Sequence, residues 1–433
     1  MAATRPSNPV SGMGATVREK LDCVKLLVTD DTGPFSQERE RWCGSMSAAR
    51  YPMNGRAFVF TGVHQPFEER EFPLPEVAPD GILVRVTVAN ICGSDLHGWH
   101  GRTPRTGPTV MGHEMTGRVA RLGARVTADA AGAPLREGDR IVYSYFYPCG
   151  RCDVCRGGDP HHCIARRIGA GRLRSDAPPH FTGAYADYYY LQPGHYVLRT
   201  PEALDDLTVA PLNCALSQVI YGLHQAGFQP GETVVIQGAG GLGLFATAVA
   251  RERGASRIVV LDRIAERLKL ALAFGADHVL NVDDFTTSEL RAKGVRELTG
   301  GGGHVVVELV GHPSALAEGL AMARPEGRYV VIGNIAGDQT IPFNPAWLVH
   351  LNRRMIGVGG YQPWALRRGL ELLERTHTRY PYRSIVSHRY PLEQINEAFA
   401  NADAGKAVRT ALICEAGVEV RGAARRRAEP EGS

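Results

Sequence analysis

Two short stretches between residues 91 and 114 contain the side chains of a catalytic metal site. They supply a thiol, a hydroxyl, carboxylates and imidazoles, in the order Cys92, Ser94, Asp95, His97, His113 and Glu114. Zinc in proteins takes cysteine sulfur and histidine nitrogen readily, and a catalytic zinc keeps three protein ligands and one open position. Cys92 and His113 therefore predict two ligands of a catalytic zinc, and the remaining chain has to supply a third.

Four further cysteines are crowded into one segment, with the spacing Cys149-x2-Cys152-x2-Cys155-x7-Cys163. Four thiolates in one loop can close a tetrahedron around zinc and leave no position for a substrate. Glycines inside the segment allow the backbone to fold tightly around an ion. Two disulfides or an iron–sulfur cluster are the alternatives. Because closed sulfur tetrahedra suit zinc in an intracellular protein, we predict a structural zinc at 149–163.

A glycine-rich turn in the middle of the chain has the features of a dinucleotide-binding fold. Thr233–Gln237 has the pattern of a strand and is followed by Gly238, Gly240, Gly241, Leu242 and Gly243, after which a helical stretch begins. Glycines at these positions permit a tight turn and let the backbone approach a pyrophosphate, which rests on the amides of the helix N-terminus. Strand, turn and helix together satisfy the context that this fingerprint requires.

The next predicted strand, Ile258–Leu261, ends at Asp262. A carboxylate at this position can accept hydrogen bonds from the adenosine ribose and repels a 2′-phosphate, so NAD is favoured over NADP. Arg263 weakens this preference, since a guanidinium can face a phosphate. Asp262 could also cap the helix that starts near Ala265, and the two roles do not exclude each other.

Composition limits the classes of protein to which the chain can belong. Its 433 residues are 44% hydrophobic and 22% charged, which is typical of a soluble globular protein with room for two domains. The net charge of +4 gives no support for nucleic-acid binding. No apolar run reaches the roughly 18–20 residues that span a bilayer, and the N-terminus lacks a signal-peptide core. We therefore predict a cytoplasmic protein without membrane or nucleic-acid partners.

The pattern of predicted strands and helices changes along the chain and predicts an α/β fold. Residues 1–52 have the composition of an N-terminal extension. Short strands with glycine and proline between them occupy 53–213 and predict a mixed β domain. Strands and helices alternate over 214–356, which predicts a doubly wound parallel sheet. The pattern of the mixed β domain returns at 357–415, which we predict to be the C-terminal part of that domain. The Arg/Ala/Glu/Pro-rich tail at 416–433 is predicted to be disordered.

Together these motifs resemble those of the zinc-dependent medium-chain dehydrogenases, over roughly 53–413. The resemblance rests on the Cys92 stretch, Gly112-His113-Glu114, the four-cysteine segment, the glycine fingerprint and Gly405–Thr410. It implies a GroES-like catalytic domain that is interrupted by a Rossmann domain and completed by the C-terminal segment. It also implies reversible oxidation of an alcohol to an aldehyde or ketone by NAD(P), two zinc ions per chain, and a homo-oligomer, either a dimer or a tetramer.

The resemblance assigns metal-site roles to single residues. Cys92 and His113 become ligands of the catalytic zinc, and Cys214 becomes the third ligand. Glu114 is the alternative ligand, because in some relatives this carboxylate approaches the metal. Asp95 is expected to orient His113 from behind, which is the usual task of a carboxylate beside a ligating histidine.

Further roles that the resemblance implies concern protons and the cofactor. Ser94 resembles the hydroxyl that takes the proton of the alcohol, and His97 the imidazole that passes it towards solvent. Arg409 resembles the cation that faces the cofactor pyrophosphate. Gly93 departs from many relatives, which have a second cation there, so one pyrophosphate contact is either missing or supplied elsewhere.

Several functions remain open from the sequence. Among alcohols, a secondary alcohol or a polyol is favoured over a primary alcohol. A zinc-independent quinone or enoyl reductase on the same fold would not need Cys92, His113 and the four-cysteine segment. A catalytically silent, nucleotide-binding regulatory protein is a further alternative, and the retention of Ser94 and His97 argues against it.

Overall fold

The structure of the protein is a computed structural model, and it describes residues 54–105, 107–165, 173–333 and 337–415 together with the backbone of 168–169. The predicted N-terminal extension and the predicted disordered tail lie outside these residues. Within the described part of the chain, no helix combines the length and the apolar character needed to cross a membrane.

A mixed seven-stranded sheet contains segments from both ends of the described chain. Its strands are β3 (Ile82–Ile91), β5 (Glu114–Leu122), β6 (Arg140–Tyr143), β9 (Tyr188–Leu191), β10 (Val197–Arg199), β17 (His388–Pro391) and β18 (Thr410–Ile413). They are ordered β10-β6-β5-β3-β18-β17, with β9 also paired to β3. Smaller sheets are formed by β1 (Asn54–Phe60), β2 (Glu68–Pro73) and β4 (Thr109–Val110), and by β7 (Phe146–Tyr147) and β8 (Ile168–Gly169).

The antiparallel pairing of β18 with β3 brings the C-terminal segment into the mixed sheet. Thr410 lies opposite Ile91, and Ile413 lies opposite Val88. The residue before β18 is therefore brought close to the residue after β3. In this way the sheet places the C-terminal segment beside the stretch that begins at Cys92.

The second sheet has six strands, all parallel. They are β11 (Thr233–Gln237), β12 (Arg257–Asp262), β13 (His278–Asn281), β14 (Gly303–Glu308), β15 (Ala323–Val331) and β16 (Arg354–Gly357), in the order β13-β12-β11-β14-β15-β16. The order reverses between β11 and β14, which is the switch point where doubly wound sheets bind ligands. The predicted α/β fold with a doubly wound parallel sheet is confirmed, and Thr233–Gln237 is a strand with the bounds expected from the sequence.

Helices cover the sheets and link them. The longer ones are α1 (Gly93–Trp99), α4 (Ser217–Gln225), α5 (Gly241–Glu252), α6 (Ala265–Ala273), α7 (Ser288–Thr299), α8 (Ser314–Met322), α10 (Pro363–Thr376) and α11 (Ile395–Asp403). The four-residue helices are α2 (Asp153–Arg156), α3 (Asp206–Val209) and α9 (Ala346–Val349). A π-helical turn, Leu212–Leu216, precedes α4, and 3₁₀ turns occur at Pro160–His162, Val282–Asp284, Tyr382–Ile385 and Leu392–Gln394.

The inner strand β11 of the parallel sheet is buried along its whole length, which explains its continuous apolar run. Val234 and Ile236 contribute to one core, together with Phe245 of α5. Val235 points to the opposite face and packs in a second core with Val295 of α7. The alternation follows from the period of two residues in a strand.

Gly117 shows how closely β5 approaches β3. A Cβ atom at this position would lie 2.2 Å from the carbonyl oxygen of Arg85. We expect Gly117→Ala to lower the free energy of unfolding by about 1–3 kcal/mol, because overpacking forces the backbone of the sheet to shift. Gly359→Ala is the control, since no described residue other than its two chain neighbours has an atom within 4 Å of the added Cβ. Urea unfolding measures both variants, and equal midpoints would contradict the prediction.

Candidate metal and cofactor site

Four buried side chains from separate parts of the chain meet in one cluster. They are Cys92, His113, Glu114 and Cys214, and one ligand atom of each lies within 4.8 Å of the others. Cys92 follows β3, His113 precedes β5, and Cys214 lies in the turn Leu212–Leu216. Although Cys214 is 101 residues beyond His113, its sulfur lies 3.3 Å from Nε2 of the imidazole. The fold therefore brings together all four residues that the sequence proposed for this metal.

The surroundings of Cys92 favour a thiolate. A hydrogen bond from Cys214 lowers the pKa of Cys92 most, and His113 and the charge of Arg409 act in the same direction against the effect of burial. Burial by itself would lower the pKa of His113, but the charge and hydrogen bond of Asp95 raise it well above its usual value. The thiolate is the form in which cysteine binds a metal, so Cys92 already favours its ligating form, whereas His113 has to lose a proton to bind a cation.

Asp95 lies behind the cluster and contacts two of its members. Its Oδ1 is 3.3 Å from Nδ1 of His113. Its Oδ2 accepts hydrogen bonds from the backbone N–H of Cys92 at 3.1 Å and from the hydroxyl of Tyr185 at 2.9 Å. With Nδ1 facing Asp95, Nε2 of His113 is directed at Cys214. A carboxylate in this arrangement fixes the ring and its tautomer.

Ser94 and His97 lie on helix α1, which begins directly after Cys92. The hydroxyl oxygen of Ser94 is 3.4 Å from Nε2 of His113, on the side of the imidazole that faces the cluster. His97 follows three residues later and is partly buried. Burial lowers the pKa of His97, and the charge of Arg102 lowers it further. The imidazole therefore stays neutral at neutral pH and can accept a proton.

Arg409 connects the cluster to the glycine fingerprint. Its buried guanidinium forms an ion pair with Oε2 of Glu114. The same group lies against Gly241, where a Cβ atom would be 2.7 Å from Nε of Arg409. Burial raises the pKa of Glu114 to about 7, although the charge of Arg409 opposes this. The ion pair was not predicted from the sequence, because its partners are 295 residues apart. The expected contact of Arg409 with a pyrophosphate stays a prediction.

The glycine fingerprint forms a tight turn between β11 and α5. Gly238 has a positive φ of 96°, and a Cβ atom at Gly243 would lie 1.9 Å from the carbonyl oxygen of Gly238. Helix α5 begins at Gly241 with Gly240 as its N-cap, so the amides of Gly241, Leu242 and Gly243 are in its first turn. Amides in the first turn have no partner within the helix and can bind an anion.

Asp262 ties the fingerprint turn to the neighbouring strand. Its Oδ2 accepts a hydrogen bond from the backbone N–H of Ala239 at 2.7 Å, and its Oδ1 accepts from those of Arg263 and Ile264. The suggested capping of the next helix by Asp262 is wrong, because Ile264 is the N-cap of α6 and no side chain caps it. Arg263 is exposed and lies 3.9 Å from the carboxylate of Asp283.

The four remaining predicted ligands form a second cluster. The sulfur atoms of Cys149, Cys152, Cys155 and Cys163 lie within 4.8 Å of one another. Two of the separations, 3.9 and 4.0 Å, are close to the roughly 3.8 Å edge of a tetrahedron with zinc–sulfur bonds of about 2.3 Å. They are too long for disulfides, whose sulfur atoms are about 2.05 Å apart. Hydrogen bonding from the backbone of Cys155 lowers the pKa of Cys152 to about 6.

Three further residues at the metal cluster were missed by the sequence analysis. The ring of Tyr145 meets that of His113 edge-on, with centroids 5.1 Å apart. Gln218 donates a hydrogen bond from Nε2 to the sulfur of Cys214 at 3.0 Å, and Asn213 donates one to the carbonyl oxygen of His113. Helical spacing could have indicated Gln218, four residues after Cys214. No local signal points to Tyr145.

Comparison with known proteins agrees with this arrangement. The family model for the alcohol dehydrogenase GroES-like domain matches residues 78–202, and that for the zinc-binding dehydrogenase matches 241–375. The 5-exo-hydroxycamphor dehydrogenase of Pseudomonas putida is 33% identical over 350 residues, which cover 80% of this chain and 95% of the relative. The chain belongs to the zinc-dependent medium-chain dehydrogenase/reductase family. The resemblance inferred from the sequence is thereby confirmed, and so is the combination of a GroES-like domain with a Rossmann fold.

Other members of the family support a common activity. A probable D-xylulose reductase A from Aspergillus terreus is 31% identical over 363 residues, which cover 82% of this chain and 97% of the relative. The crystal structure of an alcohol dehydrogenase from Thermotoga maritima has a TM-score of 0.78 at 30% identity, and the match covers 84% of this chain and all of that one. This dehydrogenase is accordingly an alcohol oxidoreductase that acts on a small-molecule alcohol.

The ion pair of Glu114 and Arg409 gives a stability prediction. We expect Arg409→Met to lower the free energy of unfolding by about 3–5 kcal/mol, because Glu114 is left buried without its partner. Adding Glu114→Leu removes both charges and should recover most of the loss. As a control, Arg125→Met breaks the exposed pair with Asp80 and should have no measurable effect. Urea unfolding compares the variants, and a double variant no more stable than the single one would refute the prediction.

Proposed function

We propose that the protein is a zinc-dependent dehydrogenase that transfers a hydride between an alcohol and NAD(P), reversibly, with the aldehyde or ketone as product. The observation that carries this proposal is the buried cluster of Cys92, His113 and Cys214, in which sulfur and imidazole nitrogen are 3.3 Å apart. Arg409 links this cluster to the glycine fingerprint, so a metal and a hydride acceptor would be neighbours.

Cys92, His113 and Cys214 would hold the catalytic zinc, with Glu114 as the alternative ligand. Two thiolates and one imidazole suit zinc, and three protein ligands leave one position for substrate. The zinc, when bound, supplies Lewis acidity that makes the hydroxyl of the alcohol more acidic. The four cysteines of the 149–163 segment would hold a second, structural zinc.

The protein's own side chains would move the proton and hold the cofactor. The hydroxyl of Ser94 faces Nε2 of His113, where it can take the proton of the alcohol, and neutral His97 can pass that proton towards solvent. The amides at Gly240–Gly243 would bind the pyrophosphate together with Arg409. Asp262 would meet the ribose, and its negative charge favours NAD over NADP.

The substrate is proposed to be a secondary alcohol or a polyol in preference to a primary alcohol. Two relatives are named for hydroxycamphor and for D-xylulose, and both names support this class. The ring of Tyr145, which meets His113 edge-on, would lie beside the bound alcohol. The predicted domains, 53–213 with 357–415 and 214–356, would enclose the substrate between them.

We also propose that the dehydrogenase is cytoplasmic and that it is a homo-oligomer, either a dimer or a tetramer. Strand β16 is at an edge of the parallel sheet, and within the described residues β15 is its only partner. Exposed apolar side chains occur on this strand and on helix α9, which precedes it in the sequence, among them Met355, Trp347 and Val349. An unprotected sheet edge with apolar neighbours favours pairing with a second copy.

Turnover and metal content test the function together. A panel of primary alcohols, secondary alcohols and polyols is assayed with NAD and with NADP, by the absorbance of the reduced cofactor. We expect two zinc ions per chain, turnover of a secondary alcohol or polyol, and faster reaction with NAD. Cys92→Ser should lose the activity and one zinc. Full activity and zinc content in Cys92→Ser, or one zinc per wild-type chain, would contradict the proposal, and cofactor binding without any turnover would favour a silent regulator.

The proton relay gives a separate prediction. We expect His97→Gln to lower kcat by about 10²–10⁴-fold, because a positioned base is lost. Since the pKa of His97 is lowered, the wild type should keep its rate below pH 6.5 until the imidazole is protonated, and the variant should lack this acidic limb. His100→Gln is the control, because His100 pairs with Asp403. An unchanged pH–rate profile in His97→Gln would exclude the relay.

A further inference from the structure

The hydroxyl of Tyr185 is bonded to the carboxylate that lies behind the metal cluster. It donates to Oδ2 of Asp95 at 2.9 Å, and both residues are fully buried. The phenolic O–H is the donor and the carboxylate oxygen is the acceptor. The same Oδ2 accepts the backbone N–H of Cys92, while Oδ1 faces Nδ1 of His113. Tyr185 thus holds the carboxylate that contacts both Cys92 and His113.

The position of the Tyr185 ring is fixed from several sides. Its backbone N–H donates to the carbonyl oxygen of Met111 at 3.1 Å, and its own carbonyl oxygen accepts from the N–H of Phe58 at 2.9 Å. The rings of Phe67 and Phe399 meet it edge-on, with centroids 5.9 and 5.6 Å away. A side chain held in this way loses little further freedom when it makes a hydrogen bond.

Gly112 provides an independent observation. A Cβ atom at this position would lie 2.7 Å from Cε1 of Tyr185 and 2.9 Å from Cβ of Ala184, and the backbone φ is +88°. Because Gly112 has no side chain, the ring of Tyr185 can occupy the space beside the residue that precedes the candidate ligand His113. The chain also joins the two segments directly, because the N–H of Ala184 donates to the carbonyl oxygen of Gly112.

We propose that Tyr185 is a positioning residue of the metal centre, acting through Asp95. By fixing Oδ2 of Asp95 it keeps Oδ1 directed at His113 and Oδ2 on the amide of Cys92, so that two ligands are oriented by one carboxylate. This inference rests on the proposed function. Loss of the hydroxyl leaves a buried carboxylate with one donor fewer, and the poorer orientation of His113 should weaken the hold on the metal.

Tyr185→Phe tests the proposal, because it removes the hydroxyl and keeps the ring. We expect the zinc of the catalytic cluster to be released to a chelator about tenfold faster, at the lower end of the effect known for groups behind metal ligands. Zinc release from the 149–163 segment, measured in the same sample, should be unchanged. In the cobalt(II)-substituted protein, the visible absorption bands of the catalytic cluster should shift.

Tyr382→Phe is the matched control. The hydroxyl of Tyr382 is also buried and also 2.9 Å from its partner, here Oγ1 of Thr376, so the variant loses a comparable hydrogen bond elsewhere. Its zinc release and cobalt spectrum should equal those of the wild type. In an Asp95→Asn background, Tyr185→Phe should add less than twofold to the release rate, because the hydroxyl acts through the carboxylate.

Two results would overturn the positioning role. One is a release rate and cobalt spectrum of Tyr185→Phe identical to those of the wild type. The other is an equally large effect of Tyr185→Phe in the Asp95→Asn background, which would mean that Tyr185 acts by another route. If the wild type releases only one zinc ion per chain, and releases it from the four-cysteine segment, the proposed catalytic metal centre is refuted. This outcome is seen with the wild type, before any variant is made.

Discussion

The buried ion pair between Glu114 and Arg409 is the contact on which the arrangement of the site depends. It joins the first residue of β5 to the residue before β18, and the guanidinium also lies against Gly241 at the start of α5. Three distant parts of the chain therefore converge on one charge pair. Neither charge is stable alone in this position, since an unpaired buried ion costs several kcal/mol. The pair therefore favours a single arrangement of the mixed sheet relative to the fingerprint turn.

The charges around this pair also bear on what the cluster can bind. The pKa of Cys92 is lowered by Cys214 and His113, whereas that of Cys214 is raised by its hydrogen bond to Cys92, by burial and by the negative charge of Cys92. The protein's own cations thus stabilise one thiolate, and Arg409 is already shared with Glu114. A divalent cation would supply the positive charge that the second thiolate needs. This charge balance favours a metal over a purely protein network of hydrogen bonds.

The sequence predicted local features well and long-range partners poorly. The fingerprint turn and the strand Thr233–Gln237 were predictable because glycine sterics and continuous apolar burial act over a few residues. The four-cysteine segment was predictable from spacing alone. Cys214 was found only through resemblance, and the contacts of Arg409 with Glu114 and of Tyr185 with Asp95 were not found at all. These pairs depend on which strands become neighbours, and no short window of sequence contains that information.

Helix α1 presents a side chain to each ring nitrogen of His113. Successive residues on a helix point about 100° apart, whereas residues three apart share a face. Asp95 is accordingly turned towards Nδ1 of His113, and Ser94 towards Nε2, with His97 on the side of Ser94. Orientation of the imidazole therefore uses its Nδ1 edge, and the relay proposed for Ser94 would start beside the Nε2 edge, which faces the metal cluster. A seven-residue helix that begins at a candidate ligand is enough to supply both, because its first turn already presents two faces to the same histidine.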